Sequence, residues 1–103
     1  MQQFDIVENL SPITRGRYPF AVLLQHPRVS SIGTLVVGPL TESSTALSRS
    51  RLHPGIEVKG RAYVMITEEL SGVQRRTLGQ IVGSAEHDRY AIIGAIDLLF
   101  TGI

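Results

Sequence analysis

At 103 residues, 43% of them hydrophobic and 18% charged, the chain has an ordinary globular composition with room for one modest core, and residues 1–103 read as a single domain. Ten basic residues against nine acidic ones leave a net charge of +1, too even for a binder of phosphate backbones. The absence of cysteine excludes disulfides, thiolate chemistry and cysteine-based metal sites.

The start, Met1-Gln2-Gln3-Phe4-Asp5, has no basic cluster and no long apolar run, so no signal peptide is expected and the implied location is the cytoplasm. Phe4 to Val7 is a first short apolar run, and Arg17 to Leu24 a second. Between them Asn9 to Gly16 is rich in turn formers. A third run, Gly33 to Gly38, is expected to end at Pro39, which cannot donate to a sheet ladder. Thr41 to Ser50 is polar and weakly periodic, a loop or a short helix. Gly55 to Val58 and Arg61 to Ile66 form an expected hairpin across Lys59-Gly60. Leu70 to Leu78 is ambiguous, with a turn expected at Ser71-Gly72. Short strands this close together predict a small, strongly bent antiparallel sheet or barrel.

The period then changes. Ser84 is the expected N-cap of a helix, with Glu86 and Asp88 supplying first-turn negative charge. Apolar residues recur at Ala85, Ile92, Ile93, Ile96, Leu99 and Phe100, close to helical spacing, and Ile92, Ile96 and Leu99 are the expected core contacts. Gly94 suggests a close backbone approach, and Gly102 a left-handed cap. The longest apolar stretch, Tyr90 to Phe100, is broken by Asp97 and too short to cross a bilayer, so no membrane partner is expected.

Enzyme motifs are absent: no phosphate-binding glycine loop with Lys-Ser/Thr, no His-Glu-x-x-His, no Gly-x-Ser-x-Gly. His26, His53 and His87 lie in different elements and are read as surface histidines, so neither metal nor cofactor is expected. Glu68 and Glu69, neighbours at a strand end, point to opposite faces and make no acid/base pair. Arg75-Arg76, with Arg49 and Arg51, would make a nucleic-acid surface only if the fold gathered them; solvated charge is the favoured reading. The ending Phe100-Thr101-Gly102-Ile103 is either packed into the core or presented as an apolar tip to a partner, and sequence physics leaves these readings level.

Ala95-Ile96-Asp97-Leu98-Leu99-Phe100-Thr101-Gly102-Ile103 resembles the C-terminus of the CcdB family, Ala-Ile-Asn-Leu-aliphatic-Phe-Trp-Gly-Ile. Gly79, Val82, His87 and Ile92 follow the family's spacing. Leu52-His53-Pro54 is similar to its Leu-x-Pro turn, and Met65-Ile66-Thr67-Glu68 to its Met-x-Thr-acidic stretch. Gln3-Phe4, Arg17-Tyr18 and Pro39-Leu40 also fit, so the likeness covers essentially the whole chain, with a few extra residues around Ser11 to Thr14.

The resemblance implies a mainly β fold, an SH3-like antiparallel barrel with a C-terminal α-helix, in a homodimer. It implies a toxin and no enzyme: a protein that binds the DNA gyrase A subunit and traps gyrase on cleaved DNA. A cognate CcdA-like antitoxin with a disordered C-terminal segment neutralises it and represses the operon with it, so DNA is met only indirectly. The implied gyrase contacts are Phe100, Gly102 and Ile103, which match the family, and Asp97, Thr101, Arg28 and Val29, which depart from it. Asp97 replaces an asparagine, Arg28 and Val29 replace two isoleucines, and Thr101 replaces a tryptophan whose indole stacks on a gyrase arginine. Threonine supplies neither that burial nor that cation–π attraction. Three readings follow: a working gyrase poison, a CcdB-like protein that does not poison gyrase, and an endoribonuclease toxin on the same fold, of the MazF and Kid type. Arg15-Gly16-Arg17 only faintly echoes the nucleases' Arg-Gly-Asp motif.

Overall fold

A computed structural model of the chain describes residues 1–26, 28–29 and 33–102. Its strands are β1 (Asp5–Asn9), β2 (Phe20–Leu23), β3 (Thr34–Glu42), β4 (Gly55–Val58), β5 (Arg61–Met65), β6 (Ser71–Gln74) and β7 (Leu78–Ser84), and its helix is α1 (Arg89–Thr101). Short 3-10 turns lie at Thr67–Glu69, Arg75–Thr77 and Glu86–Asp88. The strands form one antiparallel sheet in the order β4-β5-β3-β2-β1-β7, with β6 also paired to β3, curled into a half-barrel beside the C-terminal helix. The expected mainly β class with a terminal helix is thus what the chain adopts.

β3 is the trunk of the sheet. One edge pairs with β2; on the other, Leu40 to Glu42 pair with β5 while Thr34 to Val37 pair with β6. The strand therefore runs through Pro39 instead of ending there. Pro39 falls where the second partner changes, and its carbonyl, on that same side, accepts the Ile66 N–H. Since N and C=O of one strand residue point the same way, the missing donor lands at a break in the ladder and leaves no partner wanting.

The β4–β5 hairpin is as expected. Val58 faces Arg61, and Lys59 and Gly60 both take positive φ (52° and 78°), as a primed two-residue turn requires. The Ser71-Gly72 turn is not formed. Both residues are strand, facing Val37 and Val36, and Gly72 is not among the positive-φ residues. The partner that extends them is too distant in sequence for a local turn signal to register.

β7 was not visible as a strand because its pairing is irregular. Against β1 it carries an extra residue on each side of the Val7–Ile81 pair. At the second bulge the Gln80 N–H, out of the ladder, donates to Glu8 Oε1 at 2.9 Å. Gly79 lets that carboxylate in, since a Cβ there would sit 2.7 Å from the same oxygen. The first strand starts one residue later than its apolar run. Phe4 turns left-handed (φ 70°) and is buried, its N–H donating to Leu23 and its carbonyl accepting from Ala85.

β1, β2 and β3 are buried on both faces. Ile6, Val22 and Leu40 join Ile56, Val58, Tyr63 and Met65 beneath α1, where Ala85 and Ile92 close the cluster. Val7, Ala21, Leu23 and Val37 form a second, smaller cluster, flanked by Leu35, Val73 and Leu78. Continuous apolar runs such as Ala21-Val22-Leu23 follow from this double burial.

The helix begins later than its signals. Ser84 closes β7, and its hydroxyl accepts the Glu86 N–H at 3.1 Å, opening the 3-10 turn and not α1. α1 itself starts after Asp88, without a side-chain cap. Gly102 ends it in the left-handed region, its N–H donating to Leu98 at 2.9 Å, as expected. Among the described residues no helix is long and apolar enough to cross a membrane.

Candidate functional site

α1 presents two unlike faces. Ile92 and Ala95 are fully buried and Ile96 packs on the main core, while Leu99 is half-buried. The opposite face carries Tyr90, Ile93, Gly94, Asp97 and Thr101, with Phe100 beside them at 70% exposure. Helical geometry puts residues three and four apart on one stripe, so Ile93, Asp97 and Phe100 are neighbours along the exposed surface. The chain end is therefore divided: Ile92, Ala95 and Ile96 are core, and Phe100 is an exposed tip.

Thr101 donates its hydroxyl to the Asp97 carbonyl at 2.6 Å, a bond back onto its own helix. Asp97 and Thr101 also line a cavity of about 640 Å³ with Ala91, Gly94, Ser50 and Arg51. Gly94 makes no close approach within the chain, for a Cβ added there would meet nothing within 4 Å. That expectation is corrected: the glycine leaves an open floor between the helix and the Ser50–Arg51 loop. Nothing in the local pattern of Thr41 to Ser50 signals that the end of this connection borders α1; only the fold brings them together.

Arg28 and Val29 occupy a different loop, both exposed. The Arg28 N–H donates to His26 Nδ1 at 3.0 Å, and Gln25 holds the loop by donating to the Val29 carbonyl and accepting the Val36 N–H. Among the described residues no hydrogen bond or ion pair joins this loop to α1. Ile103 lies outside the described residues. Of the expected contacts, then, Asp97, Phe100, Thr101 and Gly102 share one helix end, and Arg28 and Val29 lie in the connection between β2 and β3.

Glu68 and Glu69 lie in a 3-10 turn, not at a strand end, because Thr67 is drawn inward: its hydroxyl donates to the Leu52 carbonyl. The two carboxylates still diverge. Glu68 pairs with His53 Nε2 at 2.7 Å. Burial pushes its carboxyl up, but its own backbone N–H and His53 outweigh that and hold it below the ordinary value. His53 is thus half-buried and partnered, whereas His26 and His87 are exposed. The arginines are not gathered: Arg49, Arg51 and Arg76 line three separate cavities.

A protein-family model described as CcdB protein matches residues 3–102, nearly the full length of the chain. The chain belongs to the CcdB family. This CcdB match runs through β1 and α1 alike and includes Phe100, Thr101 and Gly102. Membership supports a CcdB-like toxin. No curated protein sequence matches the chain significantly.

Proposed function

We propose that this chain is the toxin of a toxin–antitoxin module, binding the DNA gyrase A subunit and trapping the gyrase–DNA cleavage complex. It acts as one CcdB-like domain in a cytoplasmic homodimer, carries out no catalysis, and is neutralised by a CcdA-like antitoxin whose disordered segment folds on it. DNA is reached only through gyrase or through the antitoxin complex.

The observation that carries this reading is the division of α1. A large apolar side chain, Phe100, stands 70% exposed at the end of a helix whose other face is packed on the core and which a left-handed Gly102 terminates. Burying such a ring against a partner contributes roughly 1.5–3 kcal/mol. Asp97 and Thr101 flank it with an anionic and a hydroxyl acceptor, Gly102 ends the helix after it, Ile103 is a further expected contact, and Arg28 and Val29 supply another from their own loop. Asp97 in place of an amide favours a cation on the target.

A second reading rests on Thr101. Its hydroxyl is already bonded to α1 and no aromatic stands in its place, so the scaffold can persist as an antitoxin-binding or regulatory protein that does not poison gyrase. Loss of a central aromatic anchor commonly weakens an interface by about 2 kcal/mol or more.

The deciding assay is accumulation of cleaved plasmid DNA with gyrase from the same host. Cleavage by the native protein, abolished on deleting Gly102 and Ile103, supports the poison. Cleavage only by Thr101→Trp supports the second reading. Silence from both defeats the gyrase assignment and directs attention to RNA cleavage.

A further inference from the structure

Nothing inside the chain explains why residue 94 is a glycine. It sits in the interior of α1, where glycine is disfavoured against alanine. Its φ is not positive, so no left-handed turn calls for it, and a Cβ added to it would meet nothing within 4 Å. Neither backbone conformation nor close packing within the protein accounts for the missing side chain. The explanation has to lie in the space outside it.

That space is shaped. Gly94 lies on one stripe of α1 with Ala91, Asp97 and Thr101, and these four line the cavity of about 640 Å³ whose opposite wall is Ser50 and Arg51. The opposite wall is held in place. The Ser50 N–H donates to the His53 carbonyl at 2.9 Å, and the Ser50 hydroxyl accepts the His53 N–H at 3.1 Å. His53 is tied in turn to Glu68 at 2.7 Å. A recess built in advance between a helix and a stapled connection loses little entropy when it is filled.

Its chemistry is set by Asp97. The lining carries one cation, Arg51, and one anion, Asp97, so the recess as a whole selects neither sign. Locally the Asp97 carboxylate only accepts, and it forms no ion pair among the described residues. It stands one helical turn from Gly94, so a group lying over the glycine ends at an acceptor.

We infer that Gly94 determines specificity in the gyrase contact: the recess above it receives a long side chain of the gyrase A subunit, its stem on the Gly94 backbone and its donor head on the Asp97 carboxylate. This rests on the gyrase reading and extends it from the chain end up α1 and across to Ser50 and Arg51. Continuity selects the occupant, since Asp97 and Thr101 belong both to the recess and to the expected gyrase contacts. A second copy of the chain is the competing occupant.

The test compares the full-length native protein with Gly94→Ala and Gly94→Leu, in urea unfolding and in calorimetric binding to the gyrase A subunit of the same host. Both variants should unfold at the native urea concentration or higher, because alanine and leucine are better helix formers. Affinity should nevertheless fall, by about tenfold or more for leucine and by less for alanine. A merely structural role would move stability and binding together. The losses from Gly94→Leu and Asp97→Asn should not add, because a side chain kept out by leucine no longer reaches Asp97. Unchanged affinity of Gly94→Leu would overturn the proposal, and so would additive losses. Lower stability of both variants, varying with protein concentration, would give the recess to a second copy and overturn it too. Failure of the native protein to bind the A subunit is a separate result, which defeats the gyrase reading itself.

Discussion

The two apolar clusters share the backbones of β1, β2 and β3 yet are finished differently. The cluster under α1 is sealed by the helix and the β4–β5 hairpin, and Val22, Leu40, Met65 and Ile92 have no exposed surface. The cluster on the opposite face includes no residue of α1, and its flanking residues Leu35, Val73 and Leu78 stay half-buried, the last two lining an open cavity of about 460 Å³. A helix covers a sheet face completely because its side chains interdigitate with the pleat, whereas a curled edge leaves a mouth. In this protein the sealed side supplies stability and the open side supplies surface.

That contrast breaks most readily in the core. Leu40→Ala should cost about 2–5 kcal/mol in urea unfolding, while Val73→Ala at the open side should cost under about 1 kcal/mol. Equal costs would mean that the cavity beside Val73 is as closed as the main core. Gly94→Ala has the opposite sign. With room for a methyl and no positive φ, it should stabilise the isolated chain by about 0.5–1 kcal/mol. A loss instead would show that another surface, a second copy above all, already occupies the floor beside Asp97.

The His53–Glu68 contact is smaller and reports on the long β3–β4 connection. The Glu68 carboxyl is held below its ordinary value of about 4.5, so its contribution is complete above that pH and is lost as pH falls through the lowered folded value. Glu68→Gln should therefore be less stable than the parent by under about 1 kcal/mol near neutrality, and the gap should close in acid. Denaturation curves at about pH 7 and about pH 3 measure it. Phe100→Ala should move unfolding least, by about 0.5 kcal/mol or less, and still abolish gyrase-dependent cleavage if Phe100 is the grip. A large stability loss would return that ring to the core.

Features set by a few neighbouring residues were legible in the sequence. Lys59-Gly60 names its turn, the spacing from Ile92 to Leu99 names a helix, and Gly102 names its end. Features set by distant partners were not. β6 and β7 are strands because Thr34 to Val37 and Asp5 to Asn9 lie beside them, and their own glycines argue against it locally. Pro39 misleads for the same reason, since its harmlessness depends on where β5 gives way to β6. At the chain end, periodicity correctly gave Ile92 and Ile96 to the core. The exposure of Phe100 depends on where the sheet beneath the helix stops, which no local pattern encodes.

The pairing of β1 with β7 sets a late step in the life of the molecule. Asp5 faces Ser84, so the outer edge of the first strand has no native partner until most of the chain has been made. At roughly 5–20 residues per second, synthesis needs several seconds to deliver that partner. Throughout that interval the emerging chain offers Ile6 and Val7 on an unmatched edge, the segment a nascent-chain chaperone would meet first.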